Sequence, residues 1–400
     1  MDDASDVAGP RLRLAVLGDL DGMHTQGWLS FFTERGHEVH AISFYPPSTN
    51  PSGATVHVLK KRARGGPAET GSAPAALPAL RRLLPPSLER LVQYGRYAHA
   101  GLARVVREID PDVLHAHFVV EHGFYGSAAN FHPFVVSAWG SDIFRAPKTS
   151  LGRFIAKRAL KSADLVTVND PEMSRQVTAL GVTPDRVALV RLGVDREFLA
   201  ATARPLNHVE SSFPRTLISD RALEPLYNVD SVIQAFALAR GEAGDARLLI
   251  AHDGSQRGHL GDLVRSLGLE SAIEFLGHLD RETLRERLGQ SDVYISVPSS
   301  DSLSVSTMEA MAAGVFPIVS DLPSQRAWIE HGVNGLRVAV RDVGALAAAM
   351  TKALSDVDLR RKAAALNRAK VEAEGARDRN MLVLERHYYR LAGKPLATAP

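Results

Sequence analysis

Short runs dominated by apolar, largely β-branched residues recur along the chain at Arg11–Leu17, Val39–Phe44, Asp112–His117, Pro133–Ala138, Leu165–Val168 and Val187–Leu192. A second series follows at Arg215–Ser219, Arg247–Ala251, Ile273–Leu276, Val293–Val297 and Phe316–Val319. Continuous apolar runs of this length read as strands covered on both faces. Between them apolar residues return at helical spacing, over Trp28–Arg35, about Ser87–Glu108, Ser150–Ser162, Pro171–Leu180, His259–Leu267, Arg281–Gln290 and Val305–Ala313. Strands alternating with helices predict parallel sheets assembled from βαβ units. After Val340 the pattern is helical throughout: Val343–Ser355, Asp358 to about Glu374, and Arg379–Leu391 with Met381, Leu384, Tyr388 and Leu391 on one face.

Four hundred residues in two such series predict two domains, 1–200 and 213–377, joined by the polar run Ala201–Ser212. Apolar content of 45% and charged content of 23% are those of a globular protein, and a net charge of +2 makes no case for nucleic acid. The absence of cysteine excludes disulfides and thiolate-bound zinc and fits a reducing cytoplasm. The N-terminal MDDASDVAGP lacks the apolar core of a signal peptide, and no run approaches the ~20 residues of a membrane helix. The expected location is therefore cytoplasmic, with peripheral contact at the inner membrane face. Ser48–Pro86 is rich in Pro, Gly and Ala and carries Lys60, Lys61, Arg62, Arg64, Arg81 and Arg82. It reads either as a solvated loop or as a contact for anionic membrane or a phosphate-bearing acceptor.

The chemistry concentrates in Asp292–Leu336. The strand Val293–Val297 stops at Pro298 and a run of serines, Ser304 caps the helix Val305–Ala313, and Gly314 ends it. The free amides near Leu303, Ser304 and Val305 would face whatever lies beyond the strand end, and a helix N-terminus favours a phosphate there. Asp301 in the turn and Glu309 in the second helical turn allow one carboxylate to face a ligand's sugar end and the other its nucleoside end. At the tips of other strands stand His117, Trp139 and Asp142 in the first series, and Arg221, Gly254, Gly277 and His278 in the second. Asp142 is placed to cap the next helix. His24 and Thr25, in the loop after the first strand, read on pattern alone as turn residues.

Asp301, seven residues, then Glu309-Ala310-Met311, with Gly332, Asn334 and Gly335 downstream, resembles the donor-site signature of the retaining GT4 family of glycosyltransferases. Asp301 stands where the family has Glu, and Ser302 and Ser304 where glycines are usual. The resemblance implies the GT-B architecture: two doubly wound Rossmann-like α/β domains facing across a cleft, the acceptor domain first, with the last helix (378–400) returning to it. It further implies a catalytic set of Arg221, Asp301, Glu309 and Asp142. The donor would be held by Gly254, Gly277, His278, Tyr227, Asn228, Ser302, Leu303, Ser304 and Val305, and the acceptor by His24, Thr25, His117 and Trp139. Tyr227-Asn228 replaces the family's Lys-Gly, so one of two cations that clamp the diphosphate is absent, and Trp139 replaces a histidine that contacts the donor sugar.

No cofactor is implied and no metal: Asp19-Leu20-Asp21 and Asp110-Pro111-Asp112 have the Asp-x-Asp spacing of metal sites, but the second lies in a turn before a buried strand. The expected partners are a UDP- or GDP-sugar donor and an acceptor that is a small molecule, a lipid-linked species or a polysaccharide, with no nucleic acid. A nucleotide-sugar 2-epimerase-like isomerase, a non-catalytic sugar-binding protein and an inactive homologue are the alternative readings.

Overall fold

A computed structural model of the chain describes residues 9–48, 53–59, 101–202, 215–243 and 245–396. The fold divides into a first unit, the residues up to Val190 with those from Met381 onward, and a second unit, Arg191–Asn380. The expected boundary near residue 200 thus moves ten residues earlier.

The first unit holds β1 (Arg13–Leu17), β2 (Glu38–Ser43), β3 (Thr55–Val58), β4 (Val113–His117), β5 (Phe134–Ser137), β6 (Leu165–Val168) and β7 (Val187–Leu189). They form one parallel sheet in the order β3-β2-β1-β4-β5-β6-β7. The second unit holds β8 (Thr216–Ser219), β9 (Arg247–Ile250), β10 (Ile273–Phe275), β11 (Val293–Ser296), β12 (Phe316–Ser320) and β13 (Leu336–Val338), ordered β10-β9-β8-β11-β12-β13 and again parallel. Both units are therefore Rossmann-like. In each, the direction of strand addition reverses once, between β1 and β4 and between β8 and β11. Open α/β sheets bind ligands beyond the carboxyl ends of the strands at that reversal.

Alternation along each strand feeds two cores, one per sheet face. In β8 Leu217 joins Val232, Phe236 and Ile250, whereas its neighbour Ile218 joins Met308, Met311 and Trp328. In β11 Val293 and Ile295 go to the first cluster and Tyr294 to the second. With helices over both faces no polar alternation is needed, which is why these strands read as unbroken apolar runs.

The helix Arg377–Leu391 supplies Met381, Leu384, Tyr388 and Tyr389 to the core of Leu14, Val16, Trp28 and Phe32 in the first unit. Its buried Glu385 accepts from Arg35 Nε and pairs with His37 Nε2, both at 2.7 Å, while His37 Nδ1 accepts from the amide of Leu12 at 3.2 Å.

Several boundaries differ from expectation. The first helix runs Met23–Glu34, so His24, Thr25 and Gly27 lie in its opening turns and not in a loop; Thr25, Gly27, Trp28, Leu29 and Phe32 are its buried residues. Strand β3 lies in the stretch read as a loop, and β13 follows Gly335 where no strand was expected. Both are short edge strands with weak apolar patterns. A helical passage, Phe118–Ala129, follows β4 unannounced. Of the helix expected over Ser87–Glu108, residues 101–109 are helical and the rest lies outside the described residues. Lys60, Lys61, Arg62, Arg64, Arg81, Arg82 and the linker beyond Thr202 also lie outside them.

Candidate functional site

In the second unit the reversal point brings together residues far apart in sequence. β8 and β11 pair in parallel, Val293 beside Leu217 and Tyr294 beside Ile218. The polar residues that follow the two strands are therefore neighbours. Arg221, 80 residues before Asp301, donates from Nη2 to Asp301 Oδ2 at 2.7 Å. Its guanidinium carbon also lies 4.4 Å from the centroid of the Tyr227 ring, so this tyrosine covers the cation. Burial raises the Asp301 carboxyl above the usual range, and the positive charge of Arg221 pulls it back. Beneath the pair, Tyr294 donates its hydroxyl to Asp220 Oδ1 at 2.7 Å.

The loop that carries Asp301 is fixed from below. Ser324 Oγ donates to the carbonyl of Asp301 at 2.8 Å, and Gln325 Nε2 to that of Ser302 at 3.2 Å. Ser304 caps the helix Val305–Ala312, its Oγ accepting from the amide of Thr307 at 3.1 Å. The amides of Leu303, Ser304, Val305 and Ser306 have no acceptor among the described residues. They are the orphan donors of a helix start, available to an anion.

Glu309, on the same helix, is 6% exposed. Arg281 Nη2 reaches Glu309 Oε1 at 3.2 Å and also pairs with Asp195. Burial pushes the Glu309 carboxyl up to about 8, with Arg281 drawing it down and Asp220 and Asp195 pushing it further up. Asp195 is held in place by its neighbour: Val194 bridges to Ala376, with its amide on Gly375 O at 2.8 Å. Sequence reasoning missed Arg281, Asp195 and Asp220 as members of this site. Asp220 directly precedes Arg221, but nothing in the pattern brings Arg281 and Asp195 to Glu309.

Three expected donor residues have other partners. Asn228 is fully buried at φ +51°, its Nδ2 donating to Val297 O at 2.8 Å and Ser299 Oγ at 2.9 Å, so it braces the loop after β11. Gly254 packs on backbone: a Cβ there would lie 2.7 Å from Leu223 O. His278 is exposed, its ring centroid 5.2 Å from that of His252. Gly277 has φ +69° and open space where a side chain would stand.

In the first unit the residues expected to meet an acceptor do cluster at the β1/β4 reversal. His117, the last residue of β4, shares a 3.1 Å hydrogen bond through Nδ1 with Thr25 Oγ1. Its ring centroid is 5.0 Å from that of Trp139, which in turn is 5.5 Å from that of His24. Burial, with the neighbouring histidines, holds His117 well below its usual range and so neutral. Behind it runs a buried chain of hydrogen bonds. Trp28 Nε1 donates to Tyr388 Oη at 3.0 Å, and the same oxygen shares a hydrogen bond with His115 Nδ1. His115 Nε2 meets Ser137 Oγ at 2.8 Å, and Ser137 meets Thr167 at 2.6 Å. Burial lowers His115 to about 3, so its ring is neutral.

Asp142, expected among the catalytic residues, is fully buried. It accepts from the amides of Val119 at 2.9 Å, Trp139 at 3.1 Å and Gly140 at 2.8 Å. Both of its oxygens accept from backbone, so it shapes the turn that presents Trp139. Three of the four carboxylates of the Asp-x-Asp pairs accept hydrogen bonds within the fold. Asp19 accepts from the amide of Asp21, Asp21 from the amide and hydroxyl of Ser48, and Asp112 from Arg13 N and Lys394 Nζ.

Two family models match the chain: Glycosyl transferases group 1 over residues 207–370 and Glycosyl transferase 4-like over residues 89–170, together more than half of its length. An exopolysaccharide phosphotransferase of Streptomyces coelicolor is 29% identical over 65% of this chain, which spans only 26% of that relative. An N-acetyl-alpha-D-glucosaminyl L-malate synthase of Bacillus anthracis is 26% identical over 65% of this chain and 70% of its own length. Among solved structures, that of Anabaena HepE in complex with UDP and glucose superposes with a TM-score of 0.72 at 16% identity, over 95% of this chain and all of that one, a likeness of fold. The chain belongs to the GT4 family of glycosyltransferases with the GT-B fold.

Proposed function

We propose that the protein transfers a sugar from a nucleotide-sugar donor to an acceptor hydroxyl or amine, with retention of anomeric configuration and without a metal. The observation that carries this reading is the juxtaposition, at one strand-order reversal, of a buried cation, a half-buried and a buried carboxylate, and a row of unpaired helix amides. Cleaving a glycosyl–phosphate bond places negative charge on the departing diphosphate and positive character on the anomeric carbon. Fixed donors aimed at the developing charge supply the largest stabilisation. Arg221 and the amides of Leu303, Ser304 and Val305 are the donors for the diphosphate. Asp301 orients the sugar hydroxyls, and Glu309 takes the ribose hydroxyls once Arg281 yields. No free carboxylate in this site is required as a covalent nucleophile, so the leaving phosphate takes the acceptor's proton on the same face. The complex of HepE with UDP and glucose supports UDP as the first base to test.

The test is a thermal-shift panel of UDP, GDP, ADP and dTDP sugars, since a ligand at 100 times its Kd stabilises the native state by about 2.7 kcal/mol. One nucleotide is expected to raise the melting temperature, and Glu309→Ala to abolish that rise. An undiminished rise in the variant would place the nucleoside elsewhere. Arg221→Ala is expected to lower turnover by orders of magnitude, and a wild-type rate would remove this cation from the chemistry.

A further inference from the structure

The helix Ser150–Ser162 turns two unlike faces to its surroundings. Ile155, Ala156, Ala159 and Leu160 are buried in the first unit, and Thr149 Oγ1 caps the helix by accepting from Gly152 N at 3.0 Å. On the outer face Phe154 is 65% exposed and Leu151 45% exposed. Arg158 and Lys161, four and seven residues after Phe154, share its face, and Arg153 and Lys157 flank it. Arg145 and Lys148, both exposed, precede the helix. From Arg145 to Lys161 the chain thus carries six cations and no carboxylate. None of the six is ion-paired with a carboxylate among the described residues.

An exposed phenylalanine encircled by unpaired cations is not explained by folding. Its burial adds nothing to the core, and the like charges repel one another. No described helix is long and apolar enough to cross a membrane. We infer that this face docks the first unit on an anionic lipid bilayer, Phe154 and Leu151 entering the acyl boundary while Arg153, Lys157, Arg158 and Lys161 meet the phosphates. Charge complementarity selects an acidic surface. The aromatic–aliphatic pair at the centre of the face selects a surface with an apolar layer beneath its charges, which a bilayer has and a soluble polyanion lacks.

The full chain is incubated with vesicles of phosphatidylglycerol and phosphatidylcholine in equal parts, and with phosphatidylcholine alone, and sedimented. Binding is expected only to the anionic vesicles, weakening as salt is raised. The double variant Arg153→Gln with Arg158→Gln should bind about 25-fold more weakly, roughly fivefold per lost cation. Phe154→Ser should weaken binding by about tenfold, the burial of one aromatic side chain. Leu366→Ser, at a comparably exposed apolar site on the second unit, should bind as the parent does. All four substitutions are at exposed positions, and circular dichroism verifies that the variants are folded. Failure to sediment with anionic vesicles would overturn the inference, as would equal binding by the parent, the double variant and Phe154→Ser. Loss of binding in the double variant with none in Phe154→Ser, together with displacement by heparin, would assign the face to an acidic macromolecule instead.

Discussion

Substituting Glu309 by Gln tests the electrostatics of the donor helix without changing its shape. The carboxyl is 6% exposed, and burial moves it from an ordinary 4.5 to about 8. Between those values the native state keeps a proton that the unfolded chain has lost. Its contribution to stability is therefore fully present below pH 4.5 and is lost as pH rises through 8. One pH unit corresponds to about 1.4 kcal/mol, so the two units from pH 6 to pH 8 cost about 3 kcal/mol. Glutamine is neutral at every pH and has no such slope. Guanidinium unfolding of both proteins at pH 6 and pH 8.5 should show Glu309→Gln gaining about 3 kcal/mol on the parent between the two conditions. The difference cancels every other titrating group that the two proteins share. Parallel pH profiles would mean that the carboxylate is charged throughout, stabilised by Arg281 more than it is penalised by burial. The same titration has the opposite sign in ligand binding, because ribose hydroxyls need the charged acceptor, and donor affinity should rise as pH rises through 8.

Two further substitutions probe how the sites are held. Gly254→Ala places a Cβ 2.7 Å from Leu223 O and 2.8 Å from its carbonyl carbon, backbone atoms that cannot swing aside. A loss of about 1–3 kcal/mol in chemical denaturation is expected, and an unchanged midpoint would show that the Asp253–Gly254 turn is not locked on Leu223. Tyr388→Phe leaves the indole N–H of Trp28 and Nδ1 of His115 without their shared partner. A buried unsatisfied donor costs about 1–3 kcal/mol, read as a lower melting temperature, and parent-like melting would dissolve the proposed chain of hydrogen bonds.

Much of this was legible in the chain. The unbroken run Val293–Ser296, the serine cap and Gly314 announce a strand, a turn and a helix, because each is set by residues within a few positions of it. The resemblance carried by Asp301 and Glu309 pointed to the element on which Arg221 and Arg281 also converge. What it lacked was strand order. Arg221 and Asp301, 80 residues apart, bond because β8 and β11 are adjacent, and adjacency of strands so distant in sequence is decided by packing of the whole sheet. Arg281 and Asp195 escaped for the same reason, each reading locally as an ordinary helix start. His24 and Thr25 read as loop residues because Gly22 and Gly27 bracket them, yet Gly27 is buried on one helix with Trp28 and Phe32. Asp142 shows the limit of residue type as a guide: a carboxylate at a strand tip can serve backbone amides as well as sugar hydroxyls.

The core that Leu14 and Trp28 begin is completed by Tyr388, 360 positions after Trp28. A ribosome delivers the chain from one end, so the first half to emerge must wait with an aromatic-lined face uncovered while the second half is synthesised. The second unit is continuous in sequence and can mature as soon as it has emerged. The order of folding would then run against the order of translation, and the half made first would be the one that most needs shielding in the interval.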